Sequence, residues 1–231
     1  MKAMILAAGR GERMRPLTDR VPKALLEVGG RPLIARVVSQ LARCGYADLV
    51  INVSHGGELL ERALGDGQAF GARIVYSREA APLETAGGIA YALPLLGDAP
   101  FVVVNGDICC DYDFARLKAA GARLARSAAA AHLVLVDNPP HHPEGDFCLR
   151  DGLLSAGGEE RLTFSGIGVY APELFAAVNR GDRCPLIALI GPAMADGRVS
   201  GEQHHGLWID VGTPQRLAEA NRLLRPQAGD G

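Results

Sequence analysis

The sequence predicts an α/β fold in which a Rossmann-like, mixed and mostly parallel sheet is flanked by helices. Strand-like and helix-like segments alternate along the first 138 residues, a pattern typical of βαβ units. Two strand-like runs, FVVV at 101–104 and HLVLV at 132–136, are continuously apolar, as strands covered on both faces usually are. A chain of 231 residues with 48% hydrophobic and 22% charged residues has enough apolar material for one globular core.

The first half divides into strands and helices with local signals at their ends. In the clearest helix, Pro32 suits the first turn and Gly45 suits the end, and the apolar stripe between them consists of Leu33, Ile34, Val37, Val38 and Leu41. The expected strands are residues 2–8, 47–54, 72–77, 99–107 and 131–138. The expected helices are residues 31–45, 57–64, 86–96 and 112–129.

The pattern of residue types changes after Asn138. Residues 139–147 are rich in turn formers, residues 151–172 alternate like short antiparallel strands, and a last helix begins at Pro214. We interpret this second part as an extension of the same sheet that carries substrate contacts. The prediction is therefore one domain over residues 1–226, followed by a frayed tail at 227–231.

Composition excludes several classes of protein. A net charge of −2 predicts no nucleic-acid partner, since such proteins usually carry basic patches. The sequence has no apolar run near the roughly 20 residues of a membrane span. Its first apolar run reaches glycine and arginine too early for a secretory signal. The five cysteines lack C-x-x-C spacing, which favours reduced thiols in a cytoplasmic protein; they are Cys44, Cys109, Cys110, Cys148 and Cys184.

The stretch LAAGRGERMRPLTDRVPKAL at residues 6–25 predicts a phosphate site of unusual design. Gly9 and Gly11 follow the first strand, where the backbone of an open α/β sheet meets its ligand. Arg13 can bind phosphate oxygens through two nitrogens, and Lys23 supplies a second point charge. The stretch has Met14 where a dinucleotide fingerprint needs glycine, and it lacks the Gly-Lys of a P-loop. The alternative is a glycine-rich turn with solvated cations.

Four further features stand out. PLETAGGI at 82–89 places small residues where a helix begins, which suits a base or ribose lying on the backbone; the alternative is an ordinary helix start capped by Thr85. Asp107 ends a buried strand, a costly place for an unpaired carboxylate. Asp210 lies between Ile209 and Val211, and its alternative role is a buried carboxylate satisfied by backbone donors. His141 and His142 are interpreted as solvent-facing turn residues rather than metal ligands.

The opening stretch resembles the signature of the sugar-phosphate nucleotidyltransferase family, Gly-x-Gly-x-Arg-x-x-Pro-x-Thr followed by Pro-Lys. The matching residues are Gly9, Gly11, Arg13, Pro16, Thr18, Pro22 and Lys23. The resemblance covers nearly the whole chain and implies the nucleotide-diphospho-sugar transferase fold without a C-terminal β-helix. It further implies a nucleotide-binding part at 1–138 and a sugar-binding part at 139–226.

The resemblance assigns roles residue by residue. It implies catalytic roles for Arg13 and Lys23, and Mg²⁺ ligation by Asp107 and Asp210. The implied nucleotide contacts are Leu6, Ala7, Ala8, Gly9, Gly11, Glu84, Thr85, Gly87, Gly88 and Asn105. The implied sugar contacts are Asn138, Asp146, Ser165, Gly166 and His205. Ala86 departs from the glycine that many members carry there.

The implied reaction is attack of a sugar 1-phosphate on the α-phosphorus of a nucleoside triphosphate. Its nucleophile is largely ionised at neutral pH, so no general base is expected. The resemblance favours UTP and the 1-phosphate of N-acetylmuramate, in peptidoglycan recycling. A monomer is expected, since the sequence has no evident assembly module. Candidates for binding the lactyl carboxylate of that sugar are Arg161, Arg198, His204 and His205. The alternatives are mannose 1-phosphate with GTP and a non-catalytic nucleotide-sugar binding protein.

Overall fold

The computed structural model describes residues 1–224, which form one nine-stranded sheet, two short two-stranded ribbons and six α-helices. The strands are β1 (Ala3–Leu6), β2 (Glu27–Val28), β3 (Arg31–Pro32), β4 (Asp48–Val53), β5 (Arg73–Arg78), β6 (Phe101–Asn105), β7 (Ile108–Cys110), β8 (Ala131–Val136), β9 (Phe147–Arg150), β10 (Leu153–Ser155), β11 (Arg161–Tyr170), β12 (Val199–His204) and β13 (Trp208–Asp210). The helices are α1 (Leu33–Arg43), α2 (Gly57–Leu64), α3 (Glu84–Leu96), α4 (Leu117–Leu124), α5 (Ile187–Ala195) and α6 (Pro214–Leu223).

The main sheet has the order β5-β4-β1-β6-β11-β8-β12-β10-β9. The strands β5, β4, β1 and β6 are parallel neighbours. Strand β11 runs antiparallel to both β6 and β8, and β10 runs antiparallel to both β12 and β9. In this sheet β10 and β11 therefore oppose the other seven strands, and the prediction of a mixed, mostly parallel sheet is confirmed.

Helices cover both faces of the sheet. Helices α1, α2 and α4 pack on one face against apolar side chains of β1, β4 and β6. Helices α3 and α5 pack on the other face, against the alternate side chains of β1, β6 and β8. The continuous apolar runs seen in the sequence follow from this double coverage.

A third, smaller core lies beside the sheet. The ribbons β2–β3 and β7–β13 enclose it together with α6. Its fully buried members include Met14, Val28 and Val211. This core fixes the segment that follows β1 and the two strands that meet in the β7–β13 ribbon.

The structure also differs from the expectations in local detail. The helix expected over 112–129 begins as a 3₁₀ turn at Phe114–Arg116, and its α-helical part ends at Leu124, because the alanine-rich segment beyond has no apolar stripe. Helix α5 and strand β12 have no counterpart in the sequence prediction. Gly191 and Pro192 interrupt the pattern of α5, and β12 is fully buried only at Val199.

The expected tail at 227–231, and the last two residues of the expected domain, lie outside the described residues. Within residues 1–224 each helix is too short or too polar to cross a lipid bilayer.

Candidate active site

A cleft of about 880 Å³ opens at the carboxyl ends of β1, β4 and β6. Its walls come from the segment after β1 and from the β5–α3 connection, which is where parallel sheets bind ligands. Most of the residues expected to bind nucleotide line this cleft, together with both expected catalytic residues and one expected metal ligand. They are Leu6, Ala7, Ala8, Gly9, Gly11, Arg13, Lys23, Glu84, Thr85, Asn105 and Asp107.

The segment after β1 is held against Lys23. Gly11 has φ 62°, and a Cβ at this position would lie 2.9 Å from the Cβ of Lys23, so both the left-handed backbone and the close approach favour glycine. The hydroxyl of Thr18 donates to the carbonyl of Gly11 at 2.8 Å. Thr18 and Lys23 of the sequence signature therefore shape the loop as well as supply groups to it.

Asn52 and Glu79 line the cleft and were missed by the sequence analysis. Asn52 accepts the N–H of Ala7 at 2.7 Å and donates to Glu79 Oε1 at 2.7 Å, and Glu79 Oε2 accepts the N–H of Leu83. Glu79 is 6% exposed, and burial raises the pKa of its carboxyl. This chain of hydrogen bonds ties the loop after β1 to the loop before α3. Asn52 is a polar residue near the end of the strand predicted over 47–54, a signal that was available in the sequence.

Glu84 and Thr85 at the start of α3 line the cleft, but the next two residues are covered by another loop. The N–H groups of Ala86 and Gly87 donate to the carbonyl of Cys184 at 2.9 and 3.1 Å. Gly88 is buried, and a Cβ there would lie 2.8 Å from Glu79 Oε1. Gly87 and Gly88 thus lie behind the wall of the cleft, where they allow close packing. Leu83, and not Thr85, occupies the N-cap position.

An ion pair joins two loops at the mouth of the cleft. Glu84 has φ 62°, uncommon for a residue with a side chain. Its Oε1 accepts from Arg183 Nη2 at 2.9 Å. Arg183 lines the cleft, and no pattern in the sequence indicated it.

The two expected metal ligands, Asp107 and Asp210, converge although they are 103 positions apart. The antiparallel β7–β13 ribbon pairs Asp210 with Ile108, and the N–H of Val211 donates to the carbonyl of Asp107 at 3.0 Å. Lys23 lies between the two carboxylates. Its Nζ donates to Asp107 Oδ2 and is 4.0 Å from Asp210 Oδ1.

A second cation, Arg216, contacts Asp210 from the other side. Arg216 Nη1 is 2.8 Å from Asp210 Oδ2 and 2.5 Å from His141 Nε2. Partial burial, and then the charge of Arg216, lower the pKa of His141, so a neutral ring can accept this hydrogen bond. His141 is exposed, as expected of a turn residue. Its contact with this cluster had no signal in the sequence.

The donor set suits a divalent cation that draws further ligands from its substrates. Among the described residues there is no cluster of three or more His, Cys, Asp or Glu side chains that could hold a metal by themselves. Mg²⁺ in phosphate-transfer sites needs only one or two protein carboxylates, since phosphate oxygens and water complete its shell. Asp107 and Asp210 fit that pattern.

Of the residues expected to bind the sugar, Asn138 and Asp146 shape the loop between β8 and β9. Asn138 accepts from the hydroxyl of Thr163 at 2.9 Å and donates to the carbonyl of Arg161 at 2.9 Å. Asp146 accepts from the N–H of Phe164 at 2.7 Å. Both side chains therefore fix the loop onto β11.

Ser165 and Gly166 form a bulge in β11 beside the cleft. Ser165 is 1% exposed and its hydroxyl donates to Val134, so the side chain faces the sheet. The carbonyl of Ser165 accepts from the indole N–H of Trp208 at 2.9 Å. Gly166 has φ 78°, and its Cα packs against the side chain of Asn105. The bulge thus brings this part of β11 to the end of β6.

The structure separates the four candidates for binding a sugar carboxylate. Arg198 immediately precedes β12, at the end of that strand opposite to the end where the cleft lies, and it lines a different groove. His204 is 2.8 Å from Asp111, and Arg161 faces a glutamate at 3.9 Å. His205 is exposed in the turn that joins β12 to β13.

The fold and the site together define a nucleotidyltransferase. A family model described as nucleotidyl transferase matches residues 2–163, and the chain belongs to this family. Its class is that of the sugar-1-phosphate nucleotidyltransferases, as the sequence predicted. Members of the family bind a nucleoside triphosphate and a sugar 1-phosphate, and they generally use a divalent metal ion.

Two relatives resemble the chain over nearly its whole length. The N-acetylmuramate alpha-1-phosphate uridylyltransferase of Neisseria meningitidis is 52% identical, with 96% of this chain and 98% of the relative covered. The enzyme of the same name from Caulobacter vibrioides is 39% identical, with 96% of both chains covered. Among solved structures, a Bacillus anthracis protein assigned as a glucose-1-phosphate thymidylyltransferase, in complex with sucrose, superimposes with a TM-score of 0.82. It is 25% identical, and the match covers 100% of this chain and 97% of that chain.

Proposed function

We propose that the protein transfers the uridylyl group of UTP to N-acetylmuramate α-1-phosphate, forming the UDP-sugar and pyrophosphate. The observation that carries the proposal is the convergence of Lys23, Asp107 and Asp210 at one end of a cleft lined by the glycine loop. The 52% identity to a uridylyltransferase of that specificity supports the choice of substrates.

The chain's own residues divide the work of phosphoryl transfer. Arg13 lines the cleft from the exposed side of the loop and neutralises the departing pyrophosphate. Lys23, whose side chain is 12% exposed, is fixed beside the α-phosphate and the incoming phosphate. Asp107 and Asp210 would hold Mg²⁺, which would neutralise charge on the phosphate oxygens when bound. Catalysis then consists of positioning and charge compensation.

No general base is needed. The second pKa of a phosphate monoester is about 6, so the attacking oxygen is already ionised at neutral pH. Glu79 lies in the cleft, but both of its oxygens accept hydrogen bonds from Asn52 and Leu83. We therefore assign Glu79 to holding together the loop after β1 and the loop before α3, and not to proton transfer.

The remaining expectations belong to the same proposal. Residues 1–138 supply the nucleotide contacts and residues 139–226 the sugar contacts of one catalytic domain. The residues expected to bind the sugar, Asn138, Asp146, Ser165 and Gly166, act through the loop and the bulge that they shape, while His205 contacts the substrate from its turn. We assign the enzyme to peptidoglycan recycling in the cytoplasm, as a monomer.

The deciding experiment measures pyrophosphate release from a matrix of UTP and GTP against several sugar 1-phosphates. We expect turnover with UTP and N-acetylmuramate α-1-phosphate, abolished in Asp107→Asn and unchanged in Asp98→Asn, which alters an exposed carboxylate outside the cleft. Turnover restricted to GTP and mannose 1-phosphate would replace the substrates and keep the mechanism. Absence of turnover across the matrix, with nucleotide still bound, would favour the binding-protein alternative.

A further inference from the structure

Arg216 is fixed more firmly than a surface arginine usually is. It lies in the first turn of α6, where the hydroxyl of Thr213 accepts its backbone N–H at 3.3 Å. Its side chain is 12% exposed. One nitrogen, Nη1, contacts both Asp210 Oδ2 and His141 Nε2. The guanidinium is therefore held by a carboxylate and by a ring from a distant loop, and the capped helix fixes the backbone that carries it.

The backbone next to Asp210 leaves room for this guanidinium. A Cβ at Gly212 would collide with Arg216 Nη2 and would lie 3.0 Å from Asp210 Oδ1. Any larger residue there would displace either the guanidinium or the carboxylate. The segment between β13 and α6 is thus shaped around the Asp210–Arg216 contact.

The two oxygens of Asp210 face different partners. Oδ2 accepts from Arg216 at 2.8 Å, whereas Oδ1 is 4.0 Å from Lys23 Nζ, the group that also donates to Asp107. A carboxylate with one oxygen held by a fixed donor presents the other in a defined direction. Groups that orient a ligand in this way typically change metal affinity by 10–100-fold when they are removed.

His141 extends the contact to the sugar side. It belongs to the loop between β8 and β9, which Asn138 and Asp146 attach to β11. Through Arg216, this loop is one side chain away from Asp210. The position of the loop and the orientation of the carboxylate are therefore mechanically connected.

We propose that Arg216, braced by His141, is a positioning residue that orients Asp210 for metal binding and couples the metal site to the loop at 137–146. The proposal rests on the proposed function in one respect, the role of Asp210 as a metal ligand. Arg216 itself touches neither substrate nor metal; it acts through the carboxylate.

The test is a titration of the full-length protein with Mn²⁺ alone. Binding is measured as the loss of the EPR signal of the free ion. This measurement reports metal binding without turnover. We expect Arg216→Ala to weaken Mn²⁺ binding about 10-fold or more and Arg216→Lys to recover part of that loss. Arg222→Ala is the matched control, because Arg222 is exposed on the same helix. Thermal unfolding of each variant confirms that it is folded.

The bracing of Arg216 by His141 is tested by a double-mutant cycle. His141→Ala is expected to weaken Mn²⁺ binding by a smaller factor, and to add nothing in the Arg216→Ala background, because the two side chains act in series. Raised KM for the sugar 1-phosphate in His141→Ala, with less change in kcat, would support the coupling to the loop.

Three results would contradict the proposal, and each would overturn a different part of it. Unchanged or tighter Mn²⁺ binding in Arg216→Ala, with Asp210→Asn weakened, would overturn this inference and leave the proposed function standing. Additive effects of the two substitutions would overturn the bracing by His141. Mn²⁺ binding that is the same in Asp210→Asn and wild type would overturn both the inference and the metal-ligand role on which it rests.

Discussion

Lys23 and Asp107 form an ion pair within the cleft, although 84 positions separate them in the chain. Lys23 also faces Asp210, so a single ammonium group lies between the two carboxylates assigned to the metal. If these carboxylates hold the metal as proposed, lysine and a divalent cation compete for the same oxygens, and we expect metal binding to free the lysine for phosphate. This relationship separates the role of Lys23 in chemistry from its role in holding the site.

Lys23→Ala should lower kcat at least about 100-fold, the scale of losing a group that stabilises transition-state charge. The same variant should bind Mn²⁺ at least as tightly as wild type, because the competing cation has been removed. Steady-state kinetics and the EPR titration together check this prediction. Weaker Mn²⁺ binding would show instead that the lysine maintains the geometry of the metal site.

Arg13 and Arg15 provide a matched comparison within one loop. Arg13 lines the cleft, whereas Arg15 is 70% exposed and paired with Asp19. Arg13→Ala should lower turnover about 100-fold, since the departing pyrophosphate loses a bidentate donor. Arg15→Ala should leave kcat and KM for UTP within about twofold, because an exposed ion pair contributes little. Equal losses in the two variants would contradict the assignment of Arg13.

The buried Asn52–Glu79 pair predicts a rescue by exchange. Asn52→Asp alone places two carboxylates together, and Glu79→Gln alone places two amides together, so each should destabilise the fold by about 1–3 kcal/mol. In the double variant, the carboxylate introduced by Asn52→Asp accepts from Ala7 and from the new amide, whose oxygen accepts from Leu83. Urea denaturation should show the double variant closer to wild type than the sum of the single changes. Strict additivity would contradict the hydrogen-bond chain.

Glu202 predicts how stability depends on acid. The ring of His132 at 3.9 Å, with Tyr112 and Arg116, lowers the pKa of this carboxyl to about 2. A carboxyl whose pKa is lowered by folding stabilises the fold at pH values above its pKa in the unfolded chain. That contribution is lost as pH falls from about 4.5 through about 2.

Glu202→Gln should therefore destabilise the protein at neutral pH, by on the order of 2 kcal/mol, and flatten the fall in stability at acid pH. Denaturation at several pH values checks this, with the exposed Glu219→Gln as control. The prediction fails if wild type and Glu202→Gln lose stability in parallel between about pH 4.5 and 2.

The sequence predicted most of the fold because its strands have a strong signal. Runs such as 101–104 are apolar on both faces. The glycine signature directly follows the first predicted strand, residues 2–8. The expected fold and family were confirmed. Strand β12 was missed because its side chains are polar: Glu202 and His204 bond to partners outside the strand, and a half-exposed polar strand has no alternation to detect.

The candidate site was predicted unevenly for a physical reason. Residues in contiguous signatures, such as Arg13 and Lys23, can be found from spacing. Arg216 and Glu79 act through partners 75 and 27 positions away, and only the folded chain brings those partners together. Arg216 in particular occupies an ordinary helix, where an arginine carries no distinguishing pattern.

The position of β11 also limits how this chain can be divided. Strand β11 comes from the second half of the sequence but lies between β6 and β8 of the first half. A fragment that ended at residue 138 would therefore lack the strand that joins β6 to β8. It would leave one edge of β6 unpaired and would remove both partner strands of β8, which are β11 and β12. We conclude that the halves assigned to nucleotide and sugar are not separable modules. They form one folding unit, so split or exchanged versions of the enzyme must be cut elsewhere.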